Sequence, residues 1–224
     1  MFEKQIQHYL LLIVLLLSVY ILATGDVLSG QLWGISSQAW LWTAIATPVL
    51  HQIVVALLWR VELYHHKMTD WFGDNAFPVF KVIFTILFVG RPVTLTLLGI
   101  SNANTLNLNP TLAYLLAGIL FIPFAYTMYS VVHYFSIDRA FGEDHFKPSV
   151  YKNKLFVKQG MFRYTENAMY KFGFLILWGI ALIFLSKAAL LVAAFSHLYI
   201  WVHFYFTELP DIKYIYGDRA KELV

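Results

Sequence analysis

Apolar residues run along this chain in six long blocks separated by polar connections. A membrane crossing needs about 20 mostly apolar residues. With fewer residues sufficing where the ends are aromatic or snorkel, the blocks run roughly Tyr9 to Thr24, Gln38 to Trp59, Val79 to Ile100, Thr111 to Phe135, Ala168 to Leu185 and Ala189 to Phe206. Pro48, His51 and Gln52 interrupt the second block, Lys81, Arg91 and Pro92 the third, and Pro123 the fourth. The expected fold is all-α: a polytopic membrane protein of about six transmembrane helices. The first block reads as a retained span, because its apolar run is long and no small-x-small cleavage site follows it cleanly.

Composition agrees. The chain is 59% hydrophobic and 13% charged, against about 25% charged in a soluble domain. A soluble fold of 224 residues would have too little polar surface to cover itself. The absence of cysteine removes disulfides, thiolate metal sites and a cysteine nucleophile together. A net charge of +3 is small for a nucleic-acid binder, and no nucleic-acid partner is expected. The placement of Lys and Arg says more than their sum. Assigned to alternate sides, one side holds Lys4, Arg60, Lys67, Arg139, Lys147, Lys152, Lys154, Lys158, Arg163, Lys213, Arg219 and Lys221, and the other holds Lys187 alone. By the positive-inside rule both termini are cytoplasmic.

The longest polar stretch, Ile137 to Asn167, joins spans four and five. Its aromatics, among them Phe141, Phe146, Tyr151 and Phe156, predict an ordered segment packed at the membrane surface. The tail places Ile212, Ile215 and Tyr216 at helical spacing, which predicts a short amphipathic interfacial helix. No second domain stands out; residues 1–110 carry spans one to three and residues 111–224 the remaining three.

Two polar clusters stand out on the basic side. One is Gly160-Met-Phe-Arg-Tyr-Thr-Glu-Asn-Ala-Met-Tyr170, running into span five; the other is Thr207-Glu208-Leu-Pro-Asp211, leaving span six. Glu166 and Asn167 stand where a helix N-cap would stand, and helix N-terminal amides favour an anion there. Glu208 follows the aromatic run HLYIWVHFYF, and a carboxylate at that depth is costly unless it is paired or functional. Plain capping and interface anchoring is the competing reading. None of the close histidine spacings of membrane di-iron enzymes occurs among the eight histidines, so no metal is expected. His51 reads as lining a cavity, or as a hydrogen-bonded packing residue. Lys81 and Arg91 read as snorkelling.

The two clusters, in this order and separated by a helical hairpin, resemble the integral-membrane methyltransferases, which include phospholipid N-methyltransferases and isoprenylcysteine carboxyl methyltransferases. The likeness covers roughly the last 90 residues. It is closest to the phosphatidylethanolamine methyltransferase branch, which reads acid-Asn-Pro-Met-Tyr, then Glu-Glu-Pro and Ile-Tyr. Glu166-Asn167-Ala168-Met169-Tyr170 matches in four of five positions. Glu208, Pro210, Ile215 and Tyr216 fall in register, and Leu209 replaces the second Glu. Gly142-Glu143 with Phe146 is similar to a further stretch of that branch. In the carboxyl-methylating branch Gly160, Phe162 and Tyr170 match, but Arg-His-Pro is replaced by Glu166, Asn167 and Ala168. GMFRYTENAMY also looks like the opening of the steroid 5-reductase relatives, which use NADPH; their Pro-Asn-Tyr-x-x-Glu is missing.

The resemblance implies an S-adenosylmethionine-dependent methyltransferase, with residues 111–224 as its core and a lipid acceptor, most simply the amino head group of a phospholipid. Carboxyl or thiol methylation and NADPH-dependent reduction are the alternatives. The site would face the cytoplasm from a bacterial inner membrane or the endoplasmic reticulum. Cofactor contacts are expected at Gly142, Gly160, Phe162, Tyr164, Asn167, Met169, Tyr170 and Glu208. Aromatic faces suit the cofactor's sulfonium, and Asn167 with nearby amides suits its carboxylate. An ammonium must lose a proton before its nitrogen attacks, and Glu208, Glu166 and His133 are the expected bases. His51 and Arg139 are expected to line the acceptor's path.

Overall fold

The structure, a computed structural model, describes residues 2–223 and the side chains of residues 2–220. The side chain of Lys221 lies outside them. Among the described residues, five helices are long and apolar enough to cross a membrane: Gln5–Leu22, Ser37–His65, Lys67–Ser101, Pro110–Phe135 and Lys187–Ala220. The expected fifth span is the shorter apolar segment Met169–Ile183. At 1.5 Å per residue it falls short of the ~30 Å hydrocarbon thickness. The reason is local: the segment starts near the expected residue but ends early, where Leu185, with φ +50°, turns the chain into the Ser186 cap of the next helix.

The long helices are α1 (Gln5–Leu22), α2 (Ser37–His65), α4 (Ala76–Ser101) and α5 (Pro110–Ser130), with the short α3 (Lys67–Phe72) before α4. Two of the four long helices start on a capping side chain. Ser36 accepts from the Ala39 amide at the head of α2, and Asn109, followed by Pro110, accepts from Leu112 at the head of α5. A two-residue hairpin precedes α2, pairing Gln31 with Ser36 and Leu32 with Ile35. Its turn residues, Trp33 and Gly34, both have positive φ, as a primed turn requires.

Three short helices, α6 (Ile137–Ala140), α7 (Glu143–Phe146) and α8 (Pro148–Tyr151), occupy the long polar stretch. Tyr151, Met161 and Phe162 are buried, so this segment is ordered by packing. Then come α9 (Leu175–Ile183), α10 (Lys187–His203) and α11 (Leu209–Tyr216). Ser186 caps α10 by accepting from Ala189.

Helix α10 packs against α1, α2, α4 and α9, and α5 packs against α9. Small residues permit the approach: Ala188, Ala189 and Ala193 are fully buried. One core, including Leu12, Leu41, Leu95, Leu177, Val192 and Tyr199, joins the N-terminal helices to the C-terminal ones. Helices α4 and α5, consecutive in the chain, do not pack closely on each other.

The connections gather at two ends of the bundle. At one, Asn102 donates to the Asp26 and Ser29 carbonyls and accepts from Ser186, Ala188 and Thr105. At the other, Arg60 of α2 meets Asp211 of α11, and Lys81 reaches Asp138 at 3.0 Å. The apolar face of α11 is buried against protein: Ile212, Ile215 and Tyr216 pack with Leu63, Tyr151 and Phe204.

Candidate active site

Two cavities meet inside the basic end. A polar chamber of about 70 Å³ lies between α6, α7, the segment before α9 and the start of α11. An apolar cavity of about 380 Å³ lies deeper, between α2, α4, α5 and α9. Trp59, Ala140, Met169, Tyr170 and Glu208 line both and form the shared wall.

The polar chamber rests on a backbone turn. Gly142 has φ +87°, and a Cβ there would collide with the Trp59 ring. The turn delivers α7 under the indole. The His145 ring stacks on Trp59 with centroids 4.2 Å apart and planes at 15°, and the indole N–H donates to the Phe141 carbonyl at 3.2 Å. Asp144 Oδ1 lies 3.0 Å from His145 Nδ1, and Asp144 Oδ2 accepts from the Tyr216 hydroxyl at 3.0 Å. Asp211 lies 3.7 Å from His145 Nε2. The fully buried Asp211 accepts from Arg60 Nε at 3.1 Å and from the Tyr64 hydroxyl at 3.2 Å.

This arrangement sets protonation states. Burial alone would push the His145 ring down, but the Asp144 and Asp211 carboxylates hold it up, at about 10. Burial would raise Asp144, yet His145, Tyr216 and Arg139 together keep it below the usual carboxylate range. His145 is thus a buried cation at neutral pH, clamped between two acids.

Tyr170 and Glu208 join the two sequence clusters. Tyr170 lies in a π-helical turn, Met169–Gly173, and Glu208 ends another, Phe204–Glu208. The Tyr170 hydroxyl donates to the Glu208 carboxylate. Met169, Asn167 and Glu166 also line the polar chamber, Glu166 at its exposed rim. Glu166 and Asn167 do not cap the following helix: Ala168 holds that position, without a side-chain capping bond. Their side chains are left to face the chamber.

Other expected residues fall elsewhere. Phe162 is buried and stacks on Phe135 at 4.9 Å, and Gly160, with φ +59°, lets the Met161 amide reach the Ser130 hydroxyl at 2.9 Å. Both support Phe135, which lines the chamber. Tyr164 is 72% exposed. His133 is exposed at the end of α5, its Nδ1 3.0 Å from the Tyr129 carbonyl. Arg139 lines the polar chamber rather than the apolar cavity, its guanidinium 4.9 Å from the Phe135 ring and 5.9 Å from Tyr216. His51 lines the apolar cavity, and both its ring nitrogens lack hydrogen-bond partners. This excludes the hydrogen-bonded packing role. Arg91 does not snorkel: it is buried on the same cavity.

Sequence reasoning passed over Trp59, Asp144 and His145, and gave Asp211, though within a cluster, no role. The adjacent Asp144-His145 pair directly after Gly142-Glu143 was the available signal; the Trp59 stack and the Asp211 clamp had none. Among the described residues no three His, Asp or Glu side chains converge as a metal-holding group.

The apolar cavity opens sideways. Phe88 of α4 and Val132, just beyond α5, line it and are 45% and 57% exposed. They flank the gap between these two helices.

Set against known families, residues 112–219 match the sequence model described as phospholipid methyltransferase. No curated protein and no solved structure matches the chain. The matched stretch includes Arg139, Gly142, Asp144, His145, Tyr170, Glu208 and Tyr216; Trp59, His51 and Arg91 lie outside it.

Proposed function

Since the chain's C-terminal half, residues 112–219, belongs to the phospholipid methyltransferase family, we propose that the protein is an S-adenosylmethionine-dependent methyltransferase acting on the amino head group of a phospholipid. The observation that carries this reading is the shared wall. A polar chamber open to water and an apolar cavity open to the bilayer meet at Tyr170 and Glu208. A water-soluble methyl donor and a lipid acceptor need that pairing of compartments.

The residues present suit the cofactor's chemical groups, although the chamber of about 70 Å³ holds only part of a molecule of that size. The cofactor carries a sulfonium, an ammonium, a carboxylate, a ribose and an adenine. The chamber offers aromatic faces at Phe135, Phe156, Phe204 and Tyr216 for the flat and cationic parts. Glu208 and Glu166 suit the ammonium and ribose, and Arg139 and Asn167 suit the carboxylate. The His145 cation, held between Asp144 and Asp211, adds positive charge to the chamber wall. When bound, S-adenosylmethionine supplies a methyl group on a cationic sulfur, open to in-line displacement.

The protein's own part is alignment, exclusion of water and one proton. Glu208 accepts the proton that the head-group ammonium must lose, with the Tyr170 hydroxyl fixing the carboxylate. Glu208 is preferred over Glu166, which lines the polar chamber alone, and over His133, which lines neither cavity. The lipid enters between α4 and α5 and presents its head group at the shared wall. The basic end faces the cytoplasm, where Lys and Arg attract lipid phosphates.

Two measurements test the reading. Millimolar S-adenosylmethionine or its demethylated product should raise the melting temperature of the purified protein, and label should pass from the cofactor into extracted phospholipid. Glu208→Gln should abolish transfer while expression persists and part of the cofactor stabilisation remains, carried by Glu166, Arg139 and Asn167. No stabilisation by either compound refutes the proposal, stabilisation by NADPH instead favours reduction, and an active Glu208→Gln variant removes Glu208 as the base.

A further inference from the structure

The apolar cavity contains a charge that its walls do not explain. Arg91 lies in α4, within the membrane-spanning part of the fold, and is 6% exposed. Its Nε and Nη2 have no hydrogen-bond partner. Its guanidinium sits 5.7 Å from the centre of the Phe174 ring, an interaction that satisfies none of its N–H groups. His51, on the same cavity, leaves both ring nitrogens unpartnered and packs against Phe84 with ring centroids 4.8 Å apart.

Buried polar groups nearly always find partners, and an arginine inside a membrane is costly unless it serves a ligand or a counter-ion. Lys81, ten residues earlier on α4, shows the usual solution, a carboxylate partner in Asp138. The acid that lines the cavity with Arg91 is Glu208, and Glu208 is already engaged by Tyr170.

We propose that Arg91 and His51 form an oxyanion subsite within the cavity. It binds the phosphate or carboxylate of an amphiphile whose hydrocarbon chain fills the apolar walls. The guanidinium fork matches either oxyanion with two parallel N–H donors, and the His51 ring adds a third. The walls, with Phe84, Phe88 and Leu177, offer nothing to a hydrated free anion, and the opening between α4 and α5 faces lipid. The inference rests on the methyltransferase reading in naming the substrate class: the acceptor's anionic group is held at Arg91 while its amine meets Glu208.

The test is binding to the detergent-solubilised full chain with no cofactor present, read as melting temperature against ligand concentration. The probes are decyl phosphate, decanol, decyltrimethylammonium and inorganic phosphate. Decyl phosphate is expected to act at concentrations about ten- to a hundred-fold below decanol, the range of a charge-assisted hydrogen bond. Inorganic phosphate and the decyl cation should do less than decanol. Arg91→Met should erase the preference for phosphate over alcohol while decanol still binds, and Arg91→Lys should keep part of it. If Arg91→Met does not fold, the four probes on the native chain decide the matter. Equal response to decyl phosphate and decanol, an equal response to the decyl cation, a response to inorganic phosphate alone, or an undiminished preference in Arg91→Met overturns the proposal. Turnover plays no part in this assay. A chain that transfers no methyl but prefers decyl phosphate keeps the subsite, and an active methyltransferase without the preference loses it.

Discussion

Replacing His145 by Gln removes the positive charge clamped between Asp144 and Asp211 while keeping a side chain of similar reach. His145 is 2% exposed, so solvent screens this charge little. The structure raises its ring from 6.5 to about 10. At about 1.4 kcal/mol per pH unit, that is on the order of 4–5 kcal/mol of folding stability. Breaking a buried ion pair by removing one partner costs about 3–5 kcal/mol by experience elsewhere, in agreement. For a chain of this size 1 kcal/mol moves a melting temperature by about 2–4 °C. His145→Gln should therefore melt on the order of 10 °C lower at pH 6.

The pH dependence carries the reasoning. The folded-state value of His145 lies above the unfolded one, so its contribution is complete below about pH 6.5 and is lost as pH rises through about 10. Asp144, held below its ordinary value, behaves oppositely: its contribution is present above pH 3.8 and is lost as pH falls through its folded-state value. Melting curves of both proteins in detergent, from pH 6 to 10.5, should converge as the native chain loses its advantage. A constant gap across that range would refute the claim that the charge, rather than the ring stacked on Trp59, supplies the stability.

Two further substitutions separate the ends of the molecule. Gly142→Ala forces a side chain into positive φ and onto Trp59. It should lower the melting temperature by several degrees and remove stabilisation by the cofactor; cofactor stabilisation at the native level would show that the turn does not build the chamber. Asn102→Ala, 1% exposed at the opposite end, strands the Ser186 hydroxyl, the Ala188 amide and the Ser29 carbonyl. It should cost about 3 kcal/mol yet leave methyl transfer per folded molecule unchanged. A loss under about 1 kcal/mol, or a specific loss of activity, would contradict this.

Much of the molecule was legible in its residues for a physical reason. In a bilayer each helix must satisfy its own backbone and present apolar side chains, so a span is a local property of its sequence. The grouping of Lys and Arg connections, and the tail helix with its apolar face, were local in the same way. The Tyr170–Glu208 bond was foreshadowed because both residues sit in short motifs of one family.

What escaped depended on direction and on distance along the chain. Tyr164 and Tyr170 share a motif, but the 3₁₀ turn at Gly160–Arg163 leaves Tyr164 in the open and the π-helical turn brings Tyr170 to the shared wall. The amphipathic tail does not say whether its apolar face meets lipid or protein; here it meets Leu63, Tyr151 and Phe204. Arg60 finds Asp211 across 151 residues, and no spacing rule reaches that far. By itself, then, the sequence determined that this is a helical membrane protein whose C-terminal part carries the motifs of a methyltransferase family. Only the tertiary structure decided that Trp59 and His145 complete the polar chamber, with Asp211 beside His145, and that Arg91 lines the apolar cavity. Burial in a membrane is written residue by residue, whereas a site is assembled by packing between segments the chain holds far apart.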